Sequence, residues 1–212
     1  MTRVVKEYDE RREEFLDISE KLFSIKGYNK TSVQDIIKEI GVAKGTFYYY
    51  FKSKEEIMDA IIMRYVDIQL AIANKILNEE LPANEKMKKL FLTLGGSTER
   101  KDNLTENLHE VNNKEMHVKS IVEAVKGLTP ILTQIVEQGI AEKVYDVENP
   151  RETIEFMFTG SQFLLDDGIF DWSVEEILQK ALVFTKTMDK VFSAKSGSFY
   201  FIYELYDSVF NR

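Results

Sequence analysis

The stretch Gly27–Lys54, GYNKTSVQDIIKEIGVAKGTFYYYFKSK, decides the fold. It holds two short helical patterns that meet at a glycine. The first opens on a doubled cap signal, Thr31-x-x-Gln34 and Ser32-x-x-Asp35, either of which satisfies orphan backbone N–H groups at a helix start. Its inward side is Val33, Ile36, Ile37 and Ile40, at near-helical spacing. Gly41 supplies the freedom to turn, and Val42 plugs the corner with an apolar side chain. The second helix, residues 43–51, is short. It sets Phe47 and Phe51 on one side and leaves Lys44, Thr46, Tyr48, Tyr49 and Tyr50 to the others. Two helices joined in this way make a helix-turn-helix, whose second helix is shaped to enter a DNA major groove.

Outward from this stretch, the residues on either side brace it. From Arg11 to Lys26 the apolar positions Phe15, Ile18, Leu22 and Ile25 recur at helical spacing, with Phe23 widening the stripe. The polar residues 1–10 read as a frayed lead-in. Behind it, Ser53-Lys54-Glu55-Glu56 is a capping box that starts a long helix, Lys54–Asn78, with Ile57, Ile61, Tyr65, Ile68, Ile72 and Ile76 three to four residues apart. That helix starts at the paired helices and ends beyond them, which makes it a lever between two parts of the chain.

These residues carry a resemblance to a known family. GVAKGTFYYYFKSKEEI resembles the recognition-helix signature of the TetR/AcrR family of bacterial transcriptional regulators, and FSIKGYNKTSVQDI before it fits the same pattern. The match covers about residues 11–58. One position departs from it: the family commonly has Ser or Thr where Ala43 stands, so a hydroxyl cap is absent there. The resemblance implies Tyr49, Tyr50 and Lys54 on DNA phosphates, with Lys44, Gly45, Thr46 and Tyr48 nearer the bases. Thr31 and Ser32 would offer hydroxyls and amides to a phosphate at a helix N-terminus. It further implies a repressor that a small molecule releases from double-stranded operator DNA.

Charge is divided in a way that suits this reading. The 212 residues carry a net charge of −8. Residues 1–56 hold 11 Lys/Arg against 11 Asp/Glu, so the whole excess of acid lies in residues 57–212. Between Ile40 and Lys54 there are three lysines and no acid. Phosphate contacts are local, so this basic stretch matters more than the acidic total. Three successive tyrosines cannot all face one side of a helix, so at least one of Tyr48, Tyr49 and Tyr50 is exposed beside those lysines. An exposed Tyr donates to phosphate or touches a thymine methyl.

The rest of the chain reads as more helix. Leu81-Pro82-Ala83-Asn84 breaks the pattern. Glu85–Leu94 is a short helix, stopped by Gly95-Gly96-Ser97, and another short one is expected near Leu104–Val111. Val118–Lys143 is a long pattern in which Gly127 and Pro130 predict a kink or break. Arg151–Asp167 and a helix capped by Ser173-x-x-Glu176 and running to Phe192 are apolar over more surface than one core needs, which points to a homodimer interface near 151–167 and 173–192. Phe199, Tyr203, Tyr206 and Phe210 form an aromatic stripe on a last helix with no evident function.

The fold class that follows is all-α: an N-terminal three-helix DNA-binding unit with the helix-turn-helix (1–56) and a larger helical ligand-binding and dimerisation domain (57–212). No cysteine is present, which excludes disulfides and thiolate metal sites. No apolar run approaches the ~18–20 residues that span a bilayer, and no secretory signal opens the chain, so the expected location is cytoplasmic. Catalysis has no visible constellation, and no cofactor is expected. Glu106-x-x-His109 is half of a di-iron carboxylate signature, but the other histidine, His117, has Lys114 where the second glutamate belongs. The rival reading is a helical small-molecule-binding dimer that no longer binds DNA. The lysines retained at 44, 52 and 54 argue against it.

Overall fold

The computed structural model describes residues 2–95 and 114–210. They form helices α1 (Thr2–Lys26), α2 (Val33–Ile40), α3 (Lys44–Tyr50), α4 (Lys54–Leu77), α5 (Ala83–Gly95), α6 (Lys114–Ala141), α7 (Pro150–Leu164), α8 (Asp167–Phe170), α9 (Val174–Val191) and α10 (Phe201–Phe210). Among the described residues there is no strand, and the all-α expectation holds. The short helix expected near Leu104–Val111 lies outside the described residues, as do Glu106 and His109. The chain divides into two compact units. One comprises Met1–Tyr65 and Asp102–Ser120, the other Val66–Lys101 and Ile121–Arg212, each as far as it is described.

The first unit is built on Phe15. Its ring meets Phe47 and Phe51 edge-on, with both centroid separations 5.9 Å, and all three rings are buried. Ile36, Ile37 and Ile57 complete the same core. Two expectations for α1 are corrected. Ile25 is 70% exposed, and Leu16 and Ser19 join Phe15, Leu22 and Phe23 on the buried face instead. The helix also begins at Thr2, so residues 2–10 are helical where a frayed lead-in was expected. Tyr8 accounts for the early start, because its ring stacks on Tyr50 at 4.7 Å and meets Tyr49 edge-on at 5.8 Å. Further along, Arg64 of α4 receives Glu13, Asp17 and Glu20, three acids on one face of α1. A network of this kind holds two helices in register better than isolated surface pairs do.

In the second unit α6 runs unbroken through Gly127 and Pro130, so of the kink or break expected there the break is excluded. Proline removes one rung of the ladder. The buried side chains Leu128, Ile131, Leu132, Ile135 and Val136 hold the helix together on both sides of the gap. Gly127 serves close approach: a Cβ there would lie 2.9 Å from Leu70 Cδ2 on α4. Lys86 of α5 is buried, and its ammonium donates to the Leu77 carbonyl at the C-terminus of α4 and to Gln138 Oε1. A cation at a helix C-terminus also complements the macrodipole.

The aromatic tail has a structural explanation. Phe199 is buried against Phe192 and Tyr145, with centroids 5.3 and 5.8 Å away. The Asp189 carboxylate accepts from the backbone N–H groups of Gly197 and Phe199, which fixes the turn into α10. Helix α10 then packs on α9 and α5. No helix among the described residues is long and apolar enough to cross a membrane.

Candidate nucleic-acid interface

The turn between α2 and α3 sets the interface. Gly41 adopts φ +76°, a left-handed conformation that costs a residue with a Cβ about 1 kcal/mol or more. Its N–H closes α2 on the Ile37 carbonyl at 3.0 Å. The chain re-enters helix at Lys44 after Ala43, which caps with no side-chain hydrogen bond, as its missing hydroxyl requires.

Helix α3 is then sorted by burial. Phe47 and the following Phe51 anchor it in the core, and Arg12 lies over the Phe51 ring at 5.3 Å. Lys44, Gly45, Tyr48 and Tyr49 are exposed at positions i, i+1, i+4 and i+5, a single outward face. Tyr48 is 49% and Tyr49 71% exposed. The Lys44 ammonium stands 5.8 Å from the centre of the Tyr48 ring, so the two form one basic-aromatic patch. No atom would come within 4 Å of a Cβ on Gly45, which leaves that turn open to close approach. Thr46 is half-buried on the shoulder of the face.

Tyr50 divides its ring between the two sides. It is half-buried, stacked on Tyr8 and 5.4 Å from Phe15. Tyr8 is the participant that sequence reading missed. Its signal was present, as an aromatic seven residues before Phe15, but it sat in a stretch set aside as frayed.

Three other residues sit differently from expectation. Thr31 is buried, its hydroxyl donates to the Gly27 carbonyl at 2.9 Å and to that of Leu22 at 3.3 Å, and its N–H donates to Tyr28. Both donors are committed inward, so Thr31 is a brace for the α1–α2 corner and offers nothing to a phosphate. Lys54 turns back on its own unit: its ammonium donates to the Tyr28 carbonyl at 2.8 Å and lies 4.0 Å from the centre of the Tyr28 ring. One of its three protons is thereby used. Ser32 is exposed and caps α2, but its hydroxyl donates to the Asp35 carboxylate at 2.6 Å. The cap is the Ser32–Asp35 box, with the Asp35 N–H returning to Ser32 Oγ at 3.2 Å. Donation from the Ser32 hydroxyl and backbone, aided by Lys26 at 3.1 Å, holds the Asp35 carboxyl well below the usual carboxylate range.

Comparison with known proteins matches the same segment of the chain. Residues 15–61 match the family described as "Bacterial regulatory proteins, tetR family", and residues 97–187 match "Tetracyclin repressor-like, C-terminal domain". An uncharacterized HTH-type transcriptional regulator, YuxN, of Bacillus subtilis is 35% identical over 102 residues, 48% of this chain and 35% of its own length. The HTH-type transcriptional repressor KstR2 of Mycobacterium tuberculosis is 30% identical over 92 residues, 43% of this chain and 46% of its own. The chain thus spans less than half the length of these curated relatives. A solved structure of a TetR-family regulator from Syntrophomonas wolfei superposes with a TM-score of 0.65 at 24% identity, covering 85% of this chain and 95% of that one.

Proposed function

Because the chain belongs to the TetR family of bacterial regulatory proteins, we propose that it is a transcriptional repressor that a small molecule releases from operator DNA. The observation that carries the DNA-binding half is the outward face of α3. Lys44, Gly45, Tyr48 and Tyr49 stand together on it, in a segment with no acid from Ile40 to Ser53. Lys44 and Tyr48 are assigned to base edges, with Gly45 admitting the DNA backbone or base edge closely and Thr46 at the margin. Tyr49 and the hydroxyl of Tyr50 are assigned to phosphates. Ser32 supports the same edge, while Thr31 and Lys54 act by holding the unit together. Residues 1–56 form the DNA-reading part and residues 57–212 the ligand-binding and dimerising part.

Dimerisation is assigned to the outer face of α7 and α9. Phe156 is 80% exposed there, Val183 50% and Leu164 48%, around a groove of about 410 Å³. Gly160 on the same face has open space where a Cβ would stand, room for a facing helix. Exposed apolar surface of this kind favours a second copy of the chain, and two-fold symmetry would pair two recognition helices with half-sites about 34–36 Å apart. Coupling to a ligand is assigned to α4, one continuous helix from Lys54 beside the recognition segment to Leu77, whose Gln69 lines a cavity of the second unit. A ligand releases DNA only if it binds the release-competent state more tightly. A gel-shift with double-stranded DNA from upstream of the gene tests the reading. Retardation that disappears on raising salt is expected, whereas no retardation at low salt would favour the dimer that has lost DNA binding.

A further inference from the structure

The second unit holds a partly open cavity of about 110 Å³. Its walls are apolar and aromatic, including Leu90, Phe91, Leu128, Phe158 and Phe184. No charged side chain lines it among the described residues. A ligand carrying a net charge would leave water there without a counter-charge, at heavy cost. The described wall thus suits an uncharged ligand.

Its polar group follows from the few polar atoms in the wall. The Ser161 hydroxyl already donates to the Phe158 carbonyl at 2.8 Å. Gln69 Oε1, by contrast, is buried and accepts no hydrogen bond among the described residues. A buried amide oxygen is an acceptor with unused capacity, and leaving it so costs the protein free energy that a donor would recover. We infer that the effector is a small, uncharged, mainly apolar molecule with one hydrogen-bond donor, a hydroxyl or N–H that Gln69 Oε1 accepts.

This placement deepens the ligand-release reading, on which it rests for the word effector. Gln69 belongs to α4, so the polar contact is made on the helix that begins at the recognition segment. The last helix gains a role as well. Ile202, Leu205 and Tyr206 of α10 close one side of the cavity, and Leu205 lies so near α5 that a Cβ on Gly95 would overlap its Cδ2.

Titration calorimetry on the full chain without DNA tests the assignment. The probes are 4-propylphenol, its methyl ether 4-propylanisole and the anion 4-propylbenzoate. The phenol is expected to bind the natural chain about tenfold more tightly than the ether, the value of one hydrogen bond to a buried acceptor. Benzoate should bind no better than the ether. In Gln69→Leu the phenol and ether should bind alike, with the ether retaining its affinity. Equal affinity of phenol and ether for the natural chain, no binding of the phenol, tightest binding of the benzoate, or a preference that survives Gln69→Leu would each overturn it. The comparison on the natural chain stands even where the variant fails to fold. Since no DNA is present, failure here leaves operator binding untouched, and failure of the gel-shift leaves this assignment standing.

Discussion

At the residue scale, α3 and the residue after it separate buried anchors from the exposed side chains proposed to read DNA. Phe47 and Phe51 are buried, while Tyr48 and Tyr49, beside them in sequence, are exposed. Substitutions should therefore fall into distinct classes. Tyr48→Ala is expected to relax sequence preference, costing about 1–3 kcal/mol on the preferred operator and little on other DNA. Competition binding with single-base operator variants reads that difference, and uniform weakening on every sequence would remove Tyr48 from base reading. Tyr49→Phe should weaken all duplexes alike if its hydroxyl serves a phosphate. Lys54→Ala belongs to neither class. Its ammonium binds the Tyr28 carbonyl and ring, so the loss should appear as a lower melting temperature.

At the element scale, the helix ends carry much of the specification. Lys86→Ala would strip the Leu77 carbonyl and Gln138 of a buried donor, and a loss of about 2 kcal/mol in urea unfolding is expected. The capping boxes of α2 and α9 titrate. Asp35 and Glu176 are both held below the ordinary carboxylate range, chiefly by the side-chain hydroxyl of Ser32 in the first case and the backbone N–H of Ser173 in the second. A carboxylate whose folded pKa is depressed stabilises fully above its unfolded pKa and loses that effect as pH falls through the folded value. Both caps are thus intact at neutral pH and weaken below about pH 4. Carbon-detected NMR titration should show Ser32→Ala moving Asp35 upward, and an unmoved Asp35 would refute the hydroxyl as its chief cause.

Much at this scale was legible in the sequence, for local reasons. Ser173-x-x-Glu176 and the Gly41 turn each depend on residues within a few positions of one another, and each formed as read, while at Ser53-x-x-Glu56 the hydroxyl caps as expected but the Glu56 carboxylate accepts from the Lys52 N–H instead. The failures needed information from distant segments. The inward turn of Thr31 depends on the Leu22 carbonyl, the capture of Lys54 on Tyr28, and the early start of α1 on Tyr50. The break at Pro130 did not form, because the burial of its neighbours outweighs one missing rung. The cavity was invisible, since Gln69, Phe91, Phe158 and Ile202 come from four helices.

At the scale of the whole molecule, the proposed function joins charge to oligomeric state. The first 56 residues are balanced and the remainder acidic, so the proposed attraction to DNA belongs to one end of the sequence. Phe156→Lys would set a charge in the apolar face of α7 and α9, and a symmetric pair would carry it twice. Sedimentation should show a monomer for this variant and a dimer for the natural chain, with operator affinity falling alongside. A Phe156→Lys protein that remains dimeric would move the interface elsewhere. The central claim, a two-fold pair of recognition helices reading duplex DNA, is met most directly by selection from a random double-stranded library with the purified chain. Enrichment of a palindromic sequence, lost with Lys44→Ala and Tyr48→Ala together, is the predicted result, and a library that stays random through successive rounds would contradict it.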